Sequence, residues 1–371
     1  MYENNAAEET MEAGNSHAGL VKALVALAVI LGILVGGGAL LSSGLGLVGE
    51  SRNTPKIVGM PLIETPVDDA IIDGFKAKME ELGYEEGRDI VYDRQVIRRG
   101  PNANNEARLV IREMVARDYD LLLVSREEVP IALEETANAG KSTPIVFTQG
   151  DTTLRQSLVG FDSSGANVTG VFVPMEDVAG KQMEFLRRLF PDAKTIGYFG
   201  DGYLVSAGNP PGPVFEAAMI KEGARFGFEF AEFTTDVPPG PALREEMERT
   251  LDAIGAAEVD AWIHLPAHFV ADQQVLEGAF AKRLGIPFIV PGLPEIMPGG
   301  GEGLISYSAD YGLAGSQAAV MVDKIFNGTD PADIPIEFPR EMFLAFNLTT
   351  AEAIGFEIPA DIRALADLFV R

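Results

Sequence analysis

His264 and His268 stand four residues apart, the spacing at which two imidazoles on one helical face could share a zinc ion. Pro266 lies between them, however, and the pair follows a strand pattern, so their expected role is structural and no metal site is expected. His17 belongs to a polar tail. The chain has no cysteine, which excludes disulfides, thiol catalysis, cysteine-bound zinc and a lipid-modified N-terminal cysteine. A GxSxG nucleophile elbow in a strand-to-helix setting and a Walker A loop are both missing. Gly36 to Gly38 fall in an apolar run and Gly299 to Gly301 in a loop, so neither triplet is a dinucleotide fingerprint. Carboxylates are so abundant that no chosen pair argues for acid/base chemistry. The chemistry that remains is non-covalent, and its best-placed carrier is the polar run TQGDTT, which begins at Thr148 directly after TPIVF.

TPIVF reads as a buried strand, because Ile145, Val146 and Phe147, with the β-branched Thr148 next, follow a proline that cannot sit inside a helix. In open α/β sheets the carboxyl end of such a strand is where ligands bind, since free backbone groups and helix N-termini gather there. The stretch from Thr143 to Val171 is expected to be a strand, a polar loop, a second short strand and a chain crossing. Before it, KIVGMPLI, DIVYDRQV and DLLLVS read as strands. They alternate with helices marked by Ile71, Ile72, Phe75, Met79 and Leu82, by Ala107, Val110, Ile111, Met114 and Val115, and by the segment from Val129 to Ala139. After it, TIGYF, EFAEF, AWIHL and PFIV alternate with helices in the same way. The pattern predicts two successive units, each a mostly parallel sheet covered on both faces by helices. Asp310 is placed to cap a late helix and Gly328 to end it.

Length and composition agree with that division. A chain of 371 residues with 47% hydrophobic content can fill two cores. Its charge, 29 basic minus 55 acidic residues or −26, repels phosphate backbones and argues against nucleic acid as a partner. Residues 1–21 read as a disordered acidic tail. Residues 22–49 contain ALVALAVILGILVGGGALL, with no charge from Ala23 to Gly49, and are expected to form one transmembrane anchor at about 20 residues per crossing. A cleaved signal peptide is the competing reading. Its apolar region would exceed the usual span of roughly 7 to 15 residues, and a small-x-small exit site is not evident near Glu50.

Several segments, in their order and spacing, carry a resemblance to a known family: Pro66 and Asp68 before a GF-containing helix, LGYEEGRDI at 82–90, TPIVFT at 143–148, GANVTGV at 165–171, AKTIGYF at 193–199 and SYSADYGLAGSQAA at 306–319. With the tail from Ile325 to Pro359, they resemble the substrate-binding proteins of ABC transporters, of the tryptophan- and aromatic-amino-acid-binding type. The resemblance covers nearly the whole chain from Lys56 onward. It implies the two-lobed type I periplasmic-binding-protein fold, with a first lobe over 56–171, a second over 172–303 and a C-terminal segment, 304–371, that crosses back between lobes. It further implies a small-molecule ligand, an amino acid or related carboxylate, held in the cleft by hinge closure. A permease and its ATPase would be the partners. The binding domain would lie outside the cytoplasmic membrane, held there by the single-pass anchor. No catalysis and no cofactor are implied. A ligand-sensing ectodomain of the same fold, signalling through a separate membrane protein, is the alternative; an enzyme using the cleft is a third reading that lacks catalytic motifs.

On this reading the ligand contacts fall at strand ends facing the cleft: Glu64, Thr65, Ser125, Arg126, Thr148 and Gln149 from the first lobe, and Asp201, Tyr203, His268 and Glu295 from the second. Glu295 or Asp201 would meet an ammonium group, and Ser125 or Thr148 a carboxylate. The chain also departs from the family. It has Ser125-Arg-Glu-Glu128 where a small loop is common, Met60 and Pro61 where a polar pair is usual, and a longer loop over Pro291 to Glu302. Arg126 would suit a ligand bearing a carboxylate or phosphate.

Overall fold

The TPIVF run does form a strand, but the strand does not stop where the polar residues begin. In the computed structural model, β4 spans Ile145–Gly150, so Thr148 and Gln149 are strand residues, and the pairing register shifts between Thr148 and Gly150. The structure describes residues 54–371 apart from 64–65, 98–101, 126–127, 151–165, 201–211, 235–236, 238–240, 256 and 266–272.

The first sheet takes β1 (Lys56–Ile63), β2 (Ile90–Ile97), β3 (Leu121–Ser125), β4 and β5 (Val168–Phe172) in the order β2-β1-β3-β4-β5, all parallel. Its helices are α1 (Pro66–Glu81), α2 (Ala103–Ala116) and α3 (Glu128–Asn138). Strand alternation divides the apolar residues between two faces. Val58, Met60, Leu62, Leu121, Leu123 and Val146 pack with Phe75 and Met79 of α1. Leu122, Val124, Ile145 and Phe147 pack instead with Ile111 and Met114 of α2 and Val129 of α3.

The second sheet is larger, with order β12-β11-β10-β9-β8-β6-β7. Its strands are β6 (Thr195–Phe199), β7 (Glu229–Phe233), β8 (Ala261–Ile263), β9 (Phe288–Val290), β10 (Ile305–Ala309), β11 (Met342–Asn347) and β12 (Leu368–Val370). Around it run α4 (Met175–Leu189), α5 (Gly212–Arg225), α6 (Pro241–Ala253), α7 (Gln273–Leu284) and the short α8 (Leu293–Ile296). β11 is antiparallel to β10, against the parallel trend elsewhere in the sheet. The strand pattern AWIHL yields only Ala261–Ile263 as strand, and the Pro291 to Glu302 segment, expected as a loop, contains α8.

After β10 the chain leaves the second sheet. Asp310 Oδ1 accepts the Leu313 amide at 2.9 Å and so starts α9 (Tyr311–Phe326), which lies along α1 of the first lobe. Glycines make that approach possible. A Cβ on Gly74 would come within 2.0 Å of the Gly312 carbonyl oxygen, and one on Gly315 within 2.1 Å of the Ile71 oxygen. The chain then runs beside β5, where Thr169 donates its hydroxyl to the Ile334 carbonyl at 2.9 Å, before returning to the second sheet as β11. Short helices α10 (Leu348–Ala353) and α11 (Ala360–Arg363) precede β12. The chain thus passes between the lobes after Phe172, after Ala309 and again before Met342.

The expectation of a membrane anchor requires correction. The tail over 1–21 and the anchor over 22–49 lie outside the described residues, and among the described residues no helix is long and apolar enough to cross a membrane. The longest described helices, α1 and α9, have 16 residues each, short of the roughly 20 that a bilayer requires. The transmembrane helix is therefore withdrawn from the fold, and with it the single-pass placement and the membrane as a partner held through that helix.

Candidate functional site

At the carboxyl end of β4 two buried side chains carry polar atoms without a hydrogen-bond partner among the described residues: Thr148 Oγ1 and Gln149 Nε2. Thr148 continues the face of Val146, which points toward α1, and Ser125 stands beside it in register on β3, also buried. Gln149 adopts a φ of 62°, the left-handed region that non-glycine residues seldom enter, at the register shift that re-aims the strand. Nearby in sequence order, α1 begins directly beyond the end of β1 and has Asp68 buried in its first turn. A helix N-terminus and two hydroxyls at the ends of adjacent strands make up the set of groups that a carboxylate or other acceptor engages. Strain and an unpaired buried donor in the same residue are the features that mark binding positions.

In the second lobe the corresponding strand ends hold a row of buried polar groups. Glu295, on α8, is buried, and its Oε2 lies so close to Gly292 that a Cβ there would come within 2.6 Å of it. The carboxylate is thereby folded back to the carboxyl end of β9. Ser306 pairs with Val290 across β10 and β9, so Ser306 and Ser308 share the face of Val290 and Ile296, which belongs to α7 and α8. Both hydroxyls are buried and unpartnered among the described residues, as is Gln274 Oε1 in the first turn of α7. His264, one residue past β8, meets Glu277 of α7 through Nδ1 and Oε2 at 2.6 Å, and Gln273 Nε2 donates to the other carboxylate oxygen at 3.0 Å. From the opposite face, Gln182 of α4 donates to the Tyr307 carbonyl at 3.2 Å and to the Val290 carbonyl at 3.4 Å, leaving its Oε1 without a partner among the described residues.

Electrostatics at the far edge of this sheet are acidic. Glu216 of α5 accepts a hydrogen bond from Tyr198 at 2.8 Å, while Glu232 of β7 lies against Gly200 at the end of β6. Burial raises the Glu216 carboxyl above its ordinary value; the Tyr198 hydroxyl opposes this and the Glu232 charge adds to it. The same burial, with the two carboxylates, pushes the Tyr198 phenol upward. Among the described residues no three His, Cys, Asp or Glu side chains are grouped so as to hold a metal ion.

Of the positions expected from sequence, the structure brings Ser125, Thr148 and Gln149 together at two adjacent strand ends of the first lobe, and sets Glu295 at a strand end of the second. Glu64, Thr65, Arg126, Asp201, Tyr203 and His268 lie outside the described residues. Ser306, Ser308, Gln182 and Gln274 were not anticipated. The serines left a signal, since ISYSA places two hydroxyls on one face of an otherwise apolar strand; the glutamines, on helices, left none.

Among the described residues, two doubly wound lobes are joined by three crossings and each has buried polar groups without a described partner near its strand ends, a two-lobed periplasmic-binding-protein-like fold of type I. The chain belongs to the ABC transporter substrate binding protein family, whose model matches residues 56–370. It is therefore a binding protein and not an enzyme. A protein of Clostridioides difficile named tyrosine-binding protein is 23% identical over 341 residues, which cover 89% of this chain and 91% of that one. Among solved structures, a conserved domain protein from Vibrio cholerae matches with a TM-score of 0.69 at 22% identity, over 85% of this chain and all of the other. An ABC domain from Streptococcus pneumonia in complex with L-Trp matches with a TM-score of 0.67 at 20% identity, over 85% of this chain and 100% of that chain.

Proposed function

We propose that this chain is the solute-binding protein of an ABC importer, taking one small molecule at the carboxyl ends of its two sheets and presenting the liganded form to a permease and its ATPase. The observation that carries the reading is the pair of buried atoms Thr148 Oγ1 and Gln149 Nε2 at the end of β4, both without a partner among the described residues, with Gln149 held in left-handed backbone. A buried donor without an acceptor costs about 1–3 kcal/mol, which a bound acceptor group offsets. The ligand class is an amino acid or related carboxylate, with an aromatic amino acid first. That preference draws on the name of the C. difficile relative and on the L-Trp complex of the S. pneumonia domain. Ser125, Thr148 and Gln149 serve the carboxylate and Glu295 the ammonium group; Arg126, Glu64, Thr65, Asp201, Tyr203 and His268 are assigned by sequence position.

The test is thermal unfolding and titration calorimetry of the chain against the twenty amino acids, benzoates, nucleosides and sugars. A ligand present at about 100 times its Kd stabilises the folded state by roughly 2.7 kcal/mol, a shift of a few degrees. A saturable shift with aromatic amino acids supports the reading, whereas a shift with sugars or nucleosides alone overturns the ligand class. A sensing domain that presents its liganded form to a separate membrane protein rests on the same site. Among the described residues no helix is long and apolar enough to cross a membrane. Ligand-dependent uptake in vesicles carrying the permease separates the two.

A further inference from the structure

Among the described residues three segments join the lobes, and they are not equally free to move. The third, which runs from the 3₁₀ turn Pro331–Asp333 to β11, is bound to the first lobe by its backbone: Phe172 donates its amide to the Glu337 carbonyl at 2.8 Å, and the Glu337 amide donates to Gly170 at 3.0 Å. Gln317, on α9 and 95% shielded from solvent, holds three residues of this segment, Glu337, Phe338 and Arg340, with one side chain. Its Nε2 donates to Glu337 Oε2 at 3.0 Å and to the Phe338 carbonyl at 3.1 Å, and its Oε1 accepts the Arg340 amide at 2.9 Å. Two residues later, Met342 already pairs with Ala309 in the second sheet.

We propose that Gln317 is a positioning residue that clamps residues 337–340 to the first lobe, so that lobe rotation at the third crossing is confined to the link between Arg340 and Met342. The same rotation passes through Asp310, which separates Ala309 in the second sheet from α9 on the first lobe, and through Val173 and Pro174 between β5 and α4. Because Ala309 and Met342 are paired, the second and third links lie side by side and share one axis. Without the clamp, Phe338 would keep its ring contact with Phe172, centroids 5.7 Å apart, while 339–340 would be released and the third link would lengthen from one residue to about three. A longer link admits a wider set of lobe orientations. Gln317 thus sets how narrowly the ligand-free protein is held, which rests on the reading of two lobes that close on a solute.

The chain has no cysteine, so Leu109→Cys on α2 and Asp252→Cys on α6, 63% and 83% exposed respectively, give two unique label sites, one per lobe. Spin-label distances in the ligand-free full chain should be narrowly distributed and should broaden with Gln317→Leu. Ser316→Ala, which removes the neighbouring bond to the Gly74 carbonyl, should leave them unchanged, as should Glu337→Gln, which keeps an acceptor for Gln317. A Gln317→Leu distribution as narrow as the parent's overturns the proposal, whatever happens to its thermal midpoint. Hydrogen exchange on the unsubstituted chain gives a second reading that does not depend on the variant folding: the amides of Glu337 and Arg340 should exchange slowly and that of Glu341 fast. Equal fast exchange across 337–341 overturns the clamp. Adding L-tryptophan or L-tyrosine to the labelled parent tests the solute reading separately, since a parent that ignores both but broadens on Gln317→Leu retains the clamp and loses the ligand class.

Discussion

His264 and Glu277 meet at 2.6 Å with both side chains closed off from solvent, tying the end of β8 to the second turn of α7. Gln273 completes the arrangement from one turn earlier on the same helix, at 3.0 Å. The histidine therefore fastens a strand end to a helix.

Replacing Glu277 by alanine takes an acceptor from both His264 and Gln273. Each buried donor left unmatched costs about 1–3 kcal/mol. The urea midpoint of Glu277→Ala should fall clearly below the parent's, with Glu277→Gln falling less because it retains one acceptor oxygen. Coincident unfolding curves for the alanine variant and the parent would show that the pair contributes nothing.

The seam between α1 and α9 has no room for a methyl group. Gly74→Ala and Gly315→Ala place Cβ at 2.0 and 2.1 Å from backbone oxygens, and overpacking of this kind destabilises by about 1–3 kcal/mol. Gly180, in α4, is the matched control: its added Cβ would meet only the Glu222 side chain, at 3.5 Å. Gly180→Ala should be neutral or stabilising by up to about 1 kcal/mol from helix propensity. Thermal unfolding of the three variants checks the order.

Thr148→Val exchanges a buried hydroxyl that has no partner among the described residues for a methyl of the same size. Folding stability should hold or rise slightly, since no described hydrogen bond is lost. Affinity for the solute that stabilises the parent should fall by about tenfold, or about 1.4 kcal/mol. Calorimetry on the folded variant separates the two effects, and unchanged affinity removes Thr148 from the site.

Two glutamates have opposite pH signatures. Glu135, held by Arg112 at 2.8 Å and Arg108 at 2.7 Å, has its carboxyl lowered, first by Arg112 and then by Arg108 against the opposing effect of burial. The stability it contributes is present above the ordinary carboxylate range, near about 4.3, and is lost as pH falls through that range toward its lowered folded value. Glu216 is raised, so the folded state takes up its proton first; its charge is unfavourable above the raised value and this is relieved as pH falls. Glu135→Gln should flatten the acid limb of stability against pH, and Glu216→Gln should stabilise at neutral pH by an amount that shrinks on acidification. Urea unfolding from pH 3 to 7 checks both.

Much of this architecture was legible because its signals are local. Period-two and period-3.6 hydrophobicity placed β1 to β6 and the helices between them, and Asp310 and Gly328 marked the ends of α9 through cap chemistry that depends only on neighbouring residues. The continuation of β4 through Thr148, Gln149 and Gly150 was not legible, because a polar sequence enters a strand only when a neighbour, here β5, supplies the pairing. The helix within Pro291 to Glu302 was hidden by prolines and glycines, although Pro294 is compatible with the first turn that it occupies.

The sequence by itself determined that this is an α/β chain of two similar units, rich in carboxylates, without thiol chemistry, and similar to solute-binding proteins. It also placed Ser125 and Thr148 directly after apolar runs, with Gln149 next to Thr148. Tertiary structure alone decided that α9 packs on the first lobe after a strand of the second, that β11 runs antiparallel, and that Ser306, Ser308, Gln182 and Gln317 are buried polar groups near the strand ends and crossings. Those facts depend on contacts between residues as far apart as Gly74 and Gly312, or Gly170 and Glu337. Local periodicity records which face of an element is apolar; which partner covers it is settled only when distant elements meet.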